Sequence, residues 1–145
     1  MRPLVLGSAL FASAIVAVNL APSAGRAAPT GPLHEGCWIV IDPDDDPTFD
    51  NAQEVLCVDA SGRAAIRESS YYGEGVKGCN VVTIRAQDGK FVVDVDYKRC
   101  TNDAPSHTLT CDKAAASGAF PCMQLMAAES GAGLPVKLAP LPAGQ

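Results

Sequence analysis

Between residues 36 and 111 the chain alternates short apolar runs with turn-forming residues, and no stretch repeats with the 3.6-residue period of a helix. The alternation predicts six strands: Gly36–Ile41, Glu54–Asp59, Arg63–Glu68, Asn80–Ala86, Lys90–Lys98 and His107–Cys111. Their even spacing points to a mainly β domain, an antiparallel meander forming either a curved open sheet or a small up-and-down barrel.

Two hairpins carry enough pattern to set their register. Asp88-Gly89 suits a two-residue type I′ turn, whose central residues both need positive φ. That turn pairs Ala86 with Phe91, Ile84 with Val93 and Val82 with Val95 on one apolar face. Arg85/Val92, Thr83/Asp94 and Val81/Asp96 fall on the other, mostly polar face. A slip of one residue would bury the aspartates, so the register is strongly specified. The second hairpin turns at Ala60-Ser61-Gly62, with Gly62 left-handed, and pairs Val58 with Ala64 and Leu56 with Ile66. Cys57 then lies on the opposite face. The glycine-rich stretch Ser69–Gly78 reads as a loop.

The two ends differ in composition. Met1-Arg2-Pro3 gives a positive start, Leu4 to Leu20 is apolar and uncharged, and Ala21 to Ala28 is small. This is the order of a secretory signal, residues 1–27, with cleavage after Ala27; cleavage after Gly25 also fits, and a retained membrane anchor is the competing reading. Cleavage after Ala27 leaves nine basic residues against sixteen acidic ones, a net charge of −7. Such a surface disfavours nucleic acid and offers no polybasic patch to anionic lipid, so neither nucleic-acid binding nor stable membrane insertion after cleavage is expected. Beyond Cys122 the chain turns rich in Ala, Gly, Pro and Leu. The sequence therefore predicts a β domain over 28–128 and a flexible Pro/Ala/Gly tail over 129–145.

All six cysteines, Cys37, Cys57, Cys79, Cys100, Cys111 and Cys122, follow the signal-like segment. An even count in an exported chain implies disulfides and a secreted or periplasmic location. Six thiols allow 15 pairings. Hairpin parity brings Cys79 near Cys100, Cys111 and Cys122 bracket a short loop, and Cys37 and Cys57 remain. A bridge closing a loop of about 20 residues contributes roughly 3 kcal/mol in the chain-entropy account. No C-x-x-C occurs, which removes the thioredoxin and zinc-ribbon readings, and no C-x-x-C-H supports attached haem.

Other chemistry is sparse. His34 and His107 stand three and four residues before cysteines but read as surface or strand histidines. No nucleophile motif accompanies them, so no catalytic residue, metal site or cofactor is expected. Asp42, Asp44, Asp46 and Asp50 follow the spacing of a calcium loop. Pro47 then stands where that loop needs glycine, and Gln53 where it needs a bidentate glutamate. The run reads as a solvated acidic loop. Tyr71-Tyr72, beside Gly73 and Gly75, can line a ligand mouth or a protein contact.

Gly36-Cys37-Trp38 resembles the G-x-W that opens calycins, the lipocalin-like up-and-down barrels. In that family the tryptophan sits on the first strand at the closed end. Asp94-Val95-Asp96-Tyr97-Lys98 is similar to their later D-Y element. The spacing is shorter than in lipocalins, and the pattern of their C-terminal helix with its basic residue is missing. The G-x-W opening, with a cysteine after a polar stretch and the Cys79–Gly89–Cys100 hairpin, also resembles an exported proteobacterial domain family of unknown function, over Gly36–Cys100. Small bacterial peptidase inhibitors of the calycin fold are similar in size, compartment and G-x-W, but nothing here matches their inserting N-terminal segment.

Together these readings predict a disulfide-stapled, exported, non-catalytic binding protein. The expected partner is a protein or a small apolar ligand, with Trp38, Tyr71 and Tyr72 as the contact residues. Inhibition of an exported peptidase, or a structural envelope role mediated by the tail, are the alternatives.

Overall fold

The structure, a computed structural model, describes residues 32–113 and 117–145. The expected signal, 1–27, and its cleavage site lie outside them. Eight strands follow one another as β1 (Gly36–Ile41), β2 (Glu54–Val58), β3 (Ala64–Ser69), β4 (Val81–Gln87), β5 (Lys90–Asp96), β6 (His107–Cys111), β7 (Phe120–Met126) and β8 (Leu134–Pro140). Each pairs antiparallel with the next, and β8 returns to β1, so the sheet closes into an up-and-down barrel. Closure removes both sheet edges.

The two hairpins adopt the registers their turns specify. Val82, Ile84 and Ala86 face Val95, Val93 and Phe91, and both turn residues have positive φ, 49° at Asp88 and 78° at Gly89. Val58 faces Ala64 and Leu56 faces Ile66 around left-handed Gly62. The register shifts between Val55 and Leu56, where Val55 opposes Glu68, so Arg67 is the extra residue of a bulge in β3. At the turn, Ser61 and Arg63 hydrogen-bond to the Asp59 carboxylate and hold it well below the usual carboxylate range.

The expected flexible tail is corrected by β8. Val136 and Leu138 are buried in the barrel interior, Ala139 is buried outside it, and the strand pairs with both β1 and β7. The domain therefore extends past residue 128 to include the barrel's last strand. Pro135 and Pro140, which suggested a tail, lie toward the ends of β8, where a missing N–H interrupts the ladder least. Strand β7 was also absent from the expected set. Its Pro121 lies one residue outside the β6 ladder, which begins at the Cys111–Cys122 pair.

The interior is filled at one end. Trp38, Phe91 and Phe120 pack there with ring centroids 4.8–5.6 Å apart along Trp38–Phe120–Phe91. Leu33, 1% exposed, joins this core from the segment that precedes β1. A second cluster on the outer wall joins Ile39, Ile41 and Val55 to Phe49 of the acidic loop and Leu141 beyond β8.

All six cysteines are bridged, as Cys37–Cys57, Cys79–Cys100 and Cys111–Cys122. The first and third link residues directly opposite each other on neighbouring strands. The first belongs to the outer cluster and the third to the interior. Cys79–Cys100 instead ties the loop before β4 to the loop after β5. It lies beside the thinnest seam of the barrel, where β3 and β4 share a single paired position, Ala64 with Val82. Three such bridges suit an oxidising, extracytoplasmic environment.

Candidate functional site

Alternation along the strands decides what faces the unfilled end. The inward series of β2 runs Val58, Leu56, Glu54, and that of β6 runs Cys111, Leu109, His107. In β5 it runs Phe91, Val93, Val95 and then Tyr97 just past the strand, and in β7 Phe120, Cys122, Gln124. Each series changes from apolar to polar at the same end of the barrel. Glu54, Ser69, His107 and Gln124 are the buried polar residues of the described chain, between 2% and 6% exposed.

Three of these inward groups meet. The Tyr97 hydroxyl donates to Glu54 Oε1 at 2.6 Å. Glu54 Oε2 stands 2.9 Å from His107 Nε2. That distance is within ion-pair reach, and both atoms are buried without a hydrogen bond. The other ring nitrogen, Nδ1, lies 3.4 Å from the Pro105 carbonyl. Burial, followed by the neighbouring Glu54 carboxylate, holds the Tyr97 phenol far above its usual range.

This cluster forms the floor of a cavity of about 420 Å³. Its rim comes from the loops at this end: Asp42 and Gln53 on one side, Tyr71 and Tyr72 on another, Pro105 and Leu134 opposite. The rim is tied down. Gln53 donates to Asp42 Oδ1 at 2.8 Å, and the Ser70 amide donates to the Gln53 carbonyl at 2.8 Å. Beneath the tyrosine loop, Val76 is fully buried in the core and plugs the gap beside β3. Asn80 bridges that gap with its amide. It accepts from the Ile66 N–H at 2.9 Å and donates to the carbonyls of Ile66 and Val76 at 2.8 and 2.6 Å.

The expected contact residues separate. Tyr71, 80% exposed, and the half-buried Tyr72 both line the mouth. Trp38 does not join them. It is 3% exposed in the filled end, its indole N–H donating to the His34 carbonyl at 3.3 Å, because its parity on β1 points it inward beside Phe120. It is a core residue and offers no contact surface. His34 packs edge-on against the same indole, whereas His107, expected to be a plain strand or surface histidine, is buried in the mouth. Glu54, Tyr97 and Gln124 had no place among the expected site residues. Their sequence signal was a polar residue at the inward parity of an apolar strand.

The acidic loop folds against the wall. The Lys137 ammonium donates to the carbonyls of Pro43 and Asp45 at 3.2 and 2.7 Å. A second concavity, about 330 Å³, lies on the outer wall along Pro121, Met123, Pro135 and Lys137. Among the described residues it holds no buried polar group. Among the described residues no group of three or more His, Cys, Asp or Glu side chains is placed to hold a metal ion, and no helix is long and apolar enough to cross a membrane. No family model, curated protein or solved structure matches this chain.

Proposed function

We propose that this chain is a small exported, non-catalytic binding protein that takes a small ligand into the open mouth of its barrel. The observation that carries the reading is the buried Glu54–Tyr97–His107 cluster at the base of a concave mouth rimmed by two tyrosines. Burying a carboxylate and an imidazole with incomplete hydrogen bonding costs stability, and a bound ligand is one way to offset that cost. A few convergent polar groups in a partly apolar cavity are the usual make-up of a small-molecule site. The resemblance of Gly36-Cys37-Trp38 to the calycin opening supports the same reading. Export to the periplasm or medium is supported by the signal-like residues 1–27 and by the three bridges.

Native mass spectrometry of the protein purified from the cells that make it tests this. A small-molecule adduct on the wild type, lost from a folded Tyr71→Ala/Tyr72→Ala variant, is the expected result. An adduct equally retained by the variant, or a copurifying protein held through another face, overturns it.

A further inference from the structure

The mouth is one-sided in charge. Among the described residues, Asp42 and Glu54 are its carboxylates, no lysine or arginine lines it, and His107 is its single basic group. The loop that leaves the rim at Asp42 adds Asp44, Asp45, Asp46 and Asp50 at the same end. Lys137, which reaches this loop, is held by two backbone carbonyls. An anionic ligand would set its charge against Glu54 in a poorly solvated site, where repulsion is screened least.

Glu54 also has one oxygen to offer. Its Oε1 accepts from Tyr97, while Oε2 is buried 2.9 Å from His107 Nε2 and lacks a hydrogen bond, and the Glu54 side chain as a whole lines the cavity. A donor that brings positive charge satisfies such an oxygen better than a neutral one, because charge-assisted hydrogen bonds are roughly twice as strong. Tyr71, Tyr72 and Tyr97 line the same cavity, and the faces of aromatic rings attract cations. Pro105, Met126 and Leu134 provide apolar wall for the rest of a ligand. A metal ion is poorly served by the same groups, since no cluster of three ligating side chains is present among the described residues.

We propose that the mouth selects a small organic cation: a primary amine on an apolar or aromatic body, its ammonium on Glu54 Oε2 and its body against Tyr71 and Tyr72. The inference rests on the reading of the mouth as a binding site and adds the ligand's charge and class.

Isothermal titration of the full chain with three probes of similar shape tests it: 2-phenylethylamine, 2-phenylethanol and 3-phenylpropionate. The amine is expected to bind most tightly, the acid least. Glu54→Gln keeps an acceptor for Tyr97 and is expected to weaken the amine about ten- to hundredfold and the alcohol by much less. The ranking on the wild type needs no variant, so a misfolded Glu54→Gln does not rescue the proposal. If the alcohol or acid binds as tightly as the amine, the cation class is wrong while the binding site stands. If none of the probes binds and the natively purified protein carries an uncharged or acidic small molecule, the cation class is again wrong. If none binds and nothing copurifies, the binding site falls with it.

Discussion

Asn80 holds the weakest seam of the barrel, and its replacement provides a quantitative test of how the mouth is built. Strands β3 and β4 share one paired position. Next to it, the Asn80 side chain acts as a substitute strand, taking the N–H and C=O of Ile66 and the C=O of Val76 at 2.6–2.9 Å. Ile66 and Val76 are themselves fully buried. Asn80→Ala removes three hydrogen bonds, each worth about 0.5–1.5 kcal/mol net, and leaves backbone groups in a part-buried setting, so the loss should be about 2–4 kcal/mol. Asn80→Asp keeps an acceptor for the Ile66 amide but turns a carboxylate oxygen toward two carbonyls, and should be no better than alanine at neutral pH. Urea unfolding with the disulfides intact measures both losses, and hydrogen exchange at Ile66 reports the local opening. A loss under about 0.5 kcal/mol in Asn80→Ala, with Ile66 still protected, would refute the assigned role.

Three further outcomes follow from the same structure. A chain ending at Ala128 loses β8 and exposes the edges of β1 and β7, so it should aggregate or lack cooperative unfolding; a monomeric, cooperatively folded truncation in circular dichroism and gel filtration would contradict the closed barrel. Trp38→Ala should cost about 3–5 kcal/mol in chemical denaturation while Tyr71→Ala changes stability little, because one side chain is core and the other is exposed. The Tyr97 phenol has its ionisation raised in the folded state, so its contribution to stability is complete below the unfolded phenol value of about 10 and fades at higher pH. Alkaline titration by absorbance should then show a late step, coincident with loss of β signal, that Tyr97→Phe removes; a Tyr97 step that precedes unfolding would disprove the buried bond to Glu54.

Local pattern specified much of this barrel. The Asp88-Gly89 and Gly62 turns admit one register each, and two of the disulfides, Cys79–Cys100 and Cys111–Cys122, connect cysteines that one hairpin and one short loop bring together, whereas Cys37 and Cys57 were paired only as the remaining two. Closure was not legible, because it depends on β7 and β8, whose prolines mimic a linker. What exempts Pro121, Pro135 and Pro140 is their position near strand ends, and that is a property of the ladder rather than of any local sequence. The tyrosine rim was visible as adjacent aromatics among glycines. The floor was not. Glu54 and His107 are 53 residues apart in the chain and meet only when β2 and β6 face one barrel axis. A polar residue at inward parity is a usable signal only once the inward face is known. Trp38 shows the converse: a conspicuous aromatic whose parity sends it into the core.

A crystal structure of the protein purified from the cells that make it, with its copurifying small molecule retained, would show directly whether the mouth is the binding site. That molecule is expected in the mouth, a donor of it within hydrogen-bond distance of Glu54 and its body against Tyr71 and Tyr72. A ligand seated instead in the outer groove along Pro121, Pro135 and Lys137, with the Glu54–Tyr97–His107 cluster untouched, would contradict it.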